Sequence, residues 1–177
     1  MWKFPRASET FILAQIATAI KAGYSVDILI GDRYSLENNI HTDIIDQYNL
    51  REKVIIEDYQ IPKNKLLRLS KAGFFVLGNL RHFNKIINLL RKENFLRIES
   101  IYHYLFYKKI NVYDIIHVQY GTNTKPLDSL KGIGLIKSKL IVSFHGHDAF
   151  FPINNRIPNN GYYQSLFENG DIMVANT

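Results

Sequence analysis

The feature that most limits how this chain can fold is Ile141 to Asp148, IVSFHGHD, a short apolar run that stops at a cluster of polar side chains. Apolar residues around a single serine have the length and composition of a strand buried on both faces, as in a parallel sheet. The His-Gly-His-Asp that follows lies where the chain must leave that sheet, and open α/β sheets take their ligands beyond the carboxyl ends of their strands. Asp114 to Gly121, DIIHVQYG, has the same design, apolar and then His117, Gln119, Tyr120 and Gly121. Two strand ends carrying imidazole, amide and glycine point to one shared crevice.

The rest of the chain alternates between strand and helix periods. Met1 to Phe4 is a stub of strand closed by Pro5, and from Ser8 the pattern turns helical, with Ile12, Ile16, Ala19 and Ile20 at spacings of three and four. Ser8 suits an N-cap, Glu9 the positive helix end and Gly23 the C-terminal stop. Val26, Ile28 and Ile30 then alternate as a second strand. A short helix is expected around Asp43 to Tyr48, and a third strand at Val54 to Ile56.

Pro62 opens a long helical stretch in which Leu66, Leu69, Gly73 and Leu77 line one side. Leu80, Phe83, Ile87 and Leu90 keep that period, as do Ile98, Tyr102 and Leu105, so three helices in a row form an insertion after the third strand. A fourth strand at Ile115 to Val118, a glycine-interrupted helix at Thr124 to Lys137 and a fifth strand at Leu140 to Phe144 follow. Phe150 to Gly161, rich in proline and asparagine, is a loop. A short helix at Tyr162 to Glu168 and a strand at Ile172 to Ala175 complete the order. Strands alternating with helices predict an α/β fold, a doubly wound, mainly parallel Rossmann-like sheet occupying residues 1–177 as one domain.

Composition removes several chemistries. The 177 residues contain no cysteine, which excludes a disulfide scaffold, a thiolate zinc site and a cysteine nucleophile together. A 46% hydrophobic and 21% charged content is that of a globular protein. No apolar run approaches the roughly 20 residues of a membrane span, so the chain reads as soluble. The net charge of +6, much of it between Lys63 and Lys109, draws nucleic acid, anionic lipid and phosphorylated ligands alike, or is a solvated helical surface. Neither G-x-G-x-x-G nor G-x-x-x-x-G-K-[ST] is present, which leaves dinucleotide and P-loop functions without support.

His145 is the strongest candidate for chemistry. An imidazole at a strand end can donate to a sugar hydroxyl, stabilise developing charge or move a proton near neutral pH, or it can merely satisfy backbone groups there. Gly146 permits a sharp exit, and Asp148 lies within one turn. His117, His145, His147 and Asp148 are the residue types of a zinc or iron site, yet no helical His-x-x-x-His accompanies them, and no metal is expected. Gly132 and Gly134 form only an isolated G-x-G within a helix. Glu9 either turns outward as an ordinary helix-start acid or contacts ligand hydroxyls. The aromatic cluster Tyr102 to Tyr107, beside Lys108 and Lys109, is either a core face or a surface for lipid or single-stranded nucleic acid.

Taken together, these residues resemble the N-terminal half of a family 4 glycosyltransferase of the bacterial exopolysaccharide type that includes colanic-acid enzymes. FPRASETFILAQIATAIKAGYSVDILI is similar to that family's opening, DIIHVQYG to its fourth-strand segment and VSFHGHD to its fifth, where the family usually has Tyr in place of His147. LFENGDIMVANT is similar to the stretch before its next helix. The resemblance implies a GT-B enzyme, with two Rossmann-like domains and retaining transfer from a nucleotide-sugar without a metal or other cofactor. It implies catalysis at His145, acceptor contacts at Glu9 and Thr10, and a cleft floor at His117 and Gly121, with Gly146 and Asp148 also at the substrate.

The implied partners are a nucleotide-sugar donor and a glycan or lipid-linked acceptor, with no nucleic acid. The implied place is the cytoplasm, at the inner face of the cell membrane where basic helices meet anionic lipid. The first strand is shorter than the family's, and the family's C-terminal nucleotide-sugar-binding domain is not within residues 1–177. The chain is thus expected to be inactive by itself. A non-enzymatic basic module binding anionic lipid or nucleic acid is the alternative.

Overall fold

The computed structural model describes residues 3–4, 9–33, 41–78, 83–84, 87–88, 98–150, 155 and 161–175. These form two compact units, Met1–Asp58 and Tyr59–Thr177, each with α/β character and parallel strands.

In the first unit β1 (Lys3–Phe4) pairs in parallel with β3 (Asp32–Arg33), and β2 (Ile28–Ile30) pairs in parallel with β4 (Val54–Ile56). Helix α1 (Thr10–Lys21) lays Leu13, Ile16 and Ile20 on a core that also holds Phe4, Ile28 and Ile30. Spacings of three and four keep these side chains on one helical face, as the sequence pattern requires. Helix α2 (Thr42–Gln47) adds Ile45, and Leu50 closes the same cluster.

Both helices stop in the same way. Beyond α1, Gly23 has φ +88°, and the N–H groups of Gly23 and Tyr24 donate to the carbonyls of Ile20 and Ala19. Beyond α2, Asn49 has φ 50°, and the N–H groups of Asn49 and Leu50 donate to Asp46 and Ile45. This is the Schellman pattern, which satisfies carbonyls that a helix end leaves open. In the second case it also delivers Leu50 against Ile45, both fully buried.

The second unit begins with two helices, α3 (Lys65–Gly78) and α4 (Glu99–Ile110). Asn64 caps α3, its side-chain oxygen accepting from the N–H of Leu66 at 2.9 Å. The helices are joined by the Phe75 and Tyr104 rings, 5.9 Å apart, by a Tyr102 hydroxyl donating to the Arg68 carbonyl at 3.0 Å, and by the Arg68–Glu99 ion pair. The middle helix expected between them lies outside the described residues apart from 83–84 and 87–88.

The sheet of this unit runs in the order β5 (Ile115–Gln119), β6 (Lys139–Phe144), β7 (Ile172–Ala175), all parallel. β6 is central, with Leu140, Val142 and Phe144 buried. A 3₁₀ turn (Gly121–Asn123) and α5 (Leu127–Gly132) connect β5 to β6, and α6 (Gln164–Asn169) precedes β7. The helix expected over Thr124 to Lys137 is therefore much shorter. Pro126 occupies its N-cap, and Gly134, at φ 69°, ends it with N–H bonds from Gly134 to Lys131 and from Leu135 to Leu130. Gly132 and Gly134 are thus a helix stop, and a Cβ on Gly132 would collide with the Asn169 side chain of α6.

Lys131 crosses to β6 and β7, donating to the Ser138 carbonyl and pairing with Asp171, each at 2.8 Å. The Lys131 ammonium and the Leu140 N–H hold the Asp171 carboxyl below its ordinary pKa.

Candidate functional site

The two strand ends singled out in the sequence lie side by side, because β5 and β6 are parallel neighbours with Gln119 opposite Ser143. Alternation puts His117 and Gln119 on one face of β5, and Ser143 on the matching row of β6 with His145 just past its end. A continuous polar row follows. Ser143 Oγ lies 2.8 Å from His117 Nε2, the Gln119 amide nitrogen lies 3.5 Å from the same ring atom, and Gln119 Oε1 lies 2.8 Å from His145 Nε2.

An amide oxygen only accepts, so the Gln119 contact makes His145 Nε2 the protonated nitrogen. The ring is further held edge-on by Tyr120, with centroids 4.7 Å apart. His117 keeps one side open to water. Loss of water on its inner side, and then the neighbouring His145, hold its pKa below the ordinary histidine value.

Asp148 organises the backbone around this row. Its carboxylate, 2% exposed, accepts from the Gly121 N–H at 2.6 Å and the His145 N–H at 2.8 Å. One side chain therefore ties the exit of β5 to the exit of β6. The loop geometry that allows it is costly, since Tyr120 has φ 70°, a region that bulky residues rarely occupy. The Tyr120 N–H donating to the Ser143 carbonyl at 2.9 Å helps to hold it there. Gly146, at φ +82°, has open space around its α-carbon, so its role is conformational.

Gly121 is required for a different reason. A Cβ there would stand 2.2 Å from the Phe144 ring. Behind the site, the Tyr163 hydroxyl donates to the Asp148 carbonyl at 2.7 Å. Burial, the Asp148 charge and Tyr162 all raise the pKa of Tyr163.

Five of the residues named from sequence, His117, Gly121, His145, Gly146 and Asp148, thus meet at one pair of strand ends. Glu9 and Thr10 belong to the first unit, at the start of α1. Glu9 is buried at the N-cap position, which corrects the outward-turned alternative, and it makes no side-chain cap bond; Thr10 is exposed. Ser8, the expected cap, lies outside the described residues. His147 is exposed.

The metal arrangement considered for these residues does not form. No group of three or more His, Asp or Glu side chains is placed to hold an ion among the described residues, and Asp148 spends both oxygens on backbone N–H groups. The aromatic cluster of α4 is largely core, with Tyr102, Tyr104 and Tyr107 buried, which leaves those three rings unavailable for stacking on bases.

Ser143 and Tyr163 complete the site without having been assigned roles from sequence, and Gln119 and Tyr120, read from sequence only as polar groups at a strand end, gain definite contacts there. The available signal was the pair of polar residues at a spacing of two on each strand, His117 with Gln119 and Ser143 with His145.

No family model matches this chain, and no solved structure matches it. Among curated proteins it is 29% identical to the Escherichia coli K12 protein named "Putative colanic acid biosynthesis glycosyltransferase WcaL", over 97% of this chain and 42% of that protein. It is 28% identical to the Salmonella typhimurium LT2 protein of the same name, with the same coverage. The chain therefore spans about two fifths of the length of these relatives and is similar to that part of proteins named as glycosyltransferases of colanic acid synthesis.

Proposed function

We propose that this chain is the N-terminal, acceptor-side part of a retaining GT-B glycosyltransferase of family 4, serving exopolysaccharide synthesis. The observation that carries the reading is the His145 imidazole, fixed through Nε2 by Gln119 at 2.8 Å where two parallel strands end. That is where an α/β sheet presents groups to a ligand. Similarity along nearly the whole chain to two proteins named as glycosyltransferases supports the same reading.

In the proposed reaction the bond between the sugar C1 and the nucleotide phosphate oxygen breaks. A new bond forms from C1 to an acceptor hydroxyl, whose proton passes to the phosphate oxygen released from C1, and the nucleoside diphosphate leaves. His145 contacts the donor sugar near the reacting carbon, where its imidazole serves as hydrogen-bond partner. Gly121 and His117 line the floor, and Gly146 and Asp148 shape the loop around the sugar. Glu9 and Thr10 meet the acceptor, a glycan or lipid-linked chain, at the cytoplasmic face of the membrane. The nucleotide is bound mainly by a second Rossmann-like domain beyond residues 1–177.

The test is sugar transfer by the full-length protein and its His145→Ala variant. A fall of about a hundredfold or more in kcat with the fold intact is expected, and unchanged turnover would overturn the assignment. Residues 1–177 alone should show no turnover, and detectable transfer by them would overturn the division of labour.

A further inference from the structure

The stripe Leu66, Leu69, Gly73 and Leu77 on α3 has the spacing of a core-facing surface, yet the structure turns it outward. Leu66 is 77% exposed, Leu69 52%, Phe74 82% and Leu77 68%. The helix packs on α4 through its opposite side, with Ala72 buried, Phe75 against Tyr104, and Arg68 held by Glu99 and the Pro62 carbonyl. The outward arc, from Leu69 round to Leu67, covers roughly 160° of the helix at about 100° per residue and is apolar apart from Ser70.

Charge decides what this surface fits. Lys65 and Lys71 are exposed and stand just beyond the two edges of the arc, and exposed Lys63 precedes the helix. Lys65–Gly78 contains no acidic residue. A helix with an apolar face bordered on both edges by lysines, and free of carboxylates, is built to lie in a bilayer surface. The apolar residues enter the acyl boundary while the ammonium groups reach the anionic headgroups on either side. No helix among the described residues is long and apolar enough to cross a membrane.

We propose that α3 is a membrane-docking helix that inserts Leu66, Leu69, Phe74 and Leu77 into an anionic bilayer surface, with Lys65 and Lys71 at the headgroups. This rests on the membrane-side acceptor reading above and names the surface that makes the contact, which is α3 and not the aromatic cluster of α4.

The experiment is flotation of the protein with vesicles of phosphatidylglycerol and phosphatidylethanolamine, and with vesicles of phosphatidylcholine alone. Preferential binding to the anionic vesicles, weakened by salt, is expected. Leu69→Gln with Phe74→Gln should weaken it about tenfold or more. Lys65→Gln with Lys71→Gln should abolish the preference for anionic lipid. Because all four side chains are exposed, circular dichroism and the thermal midpoint should not move. Phe74→Trp in a Trp2→Phe background should shift its emission to the blue on anionic vesicles. Absence of binding by the unmodified protein, or equal binding by the Gln variants, would overturn the proposal. So would loss of self-association, without loss of vesicle binding, in the Leu69→Gln, Phe74→Gln variant, since a second copy would then be the occupant. His145→Ala should leave flotation unchanged, which separates failure of docking from failure of sugar transfer.

Discussion

The Nε2 atom of His145 lies 2.8 Å from the Oε1 atom of Gln119, and this single contact decides which ring nitrogen carries hydrogen. Gln119→Leu removes the acceptor while keeping similar bulk. Nitrogen-15 shifts of the His145 ring should then report a mixture of tautomers in place of one. Transfer by the full-length protein should fall about tenfold or more, because the imidazole is no longer presented in one form. A single retained tautomer would remove Gln119 from this role.

His117 is held below its ordinary pKa, chiefly by loss of water on its inner side and then by His145. The unfolded chain therefore binds more protons than the folded one as the pH falls through the usual histidine range near 6.5. Stability present at neutral pH should decline below that range and level off once the folded pKa is passed. Denaturant unfolding of His117→Asn should show a flatter dependence between about pH 7 and 5. An unchanged slope would assign the effect elsewhere.

Asp148 accepts two backbone N–H bonds from different loops at 2.6 and 2.8 Å. Asp148→Asn keeps the shape but turns one acceptor into a donor facing an N–H. A loss of about 1.5–3 kcal/mol in unfolding free energy is expected, the worth of a hydrogen bond to a buried charged group. A change within about 0.5 kcal/mol would mean that the two exits are held by other contacts.

Gly121 and Phe144 form a size-matched pair across the sheet. Gly121→Ala drives a methyl group into the ring, 2.2 Å away, and should cost about 1–3 kcal/mol. In a double-mutant cycle Phe144→Leu should recover part of that cost, because the narrower side chain vacates the space. Strict additivity would show that the loop moves instead.

Much of this architecture was legible because short apolar runs ended at glycine or charge. Val54 to Ile56, Ile115 to Val118 and Leu140 to Phe144 are strands where the pattern placed them, the strand read from Val26 to Ile30 begins only at Ile28, and Gly23 ends α1 through its positive φ. The site was half legible. His145 and Asp148 stand out in a motif, whereas the role of Gln119 depends on which strand neighbours β5 and in what register, and local sequence carries neither. At α3 periodicity supplied the stripe but not its surroundings. It shows that a helix has an apolar stripe, and Leu66, Leu69 and Leu77 do form one, but it does not show what the stripe faces. For Tyr102 to Tyr107 the residue types left a core face and a binding surface both open, and Tyr102, Tyr104 and Tyr107 fill the interior.

The pairing of Gln119 with Ser143 carries one more consequence. Val118 and Val142 are both buried, and on each strand they alternate with the polar row. Sliding β5 along β6 by a single step would exchange inside for outside on the moving strand, pulling a valine into water and pushing an imidazole into oil. The aliphatic neighbours therefore act as the ruler of the site. Their aversion to water sets the spacing at which two histidines, an amide and a hydroxyl can find one another.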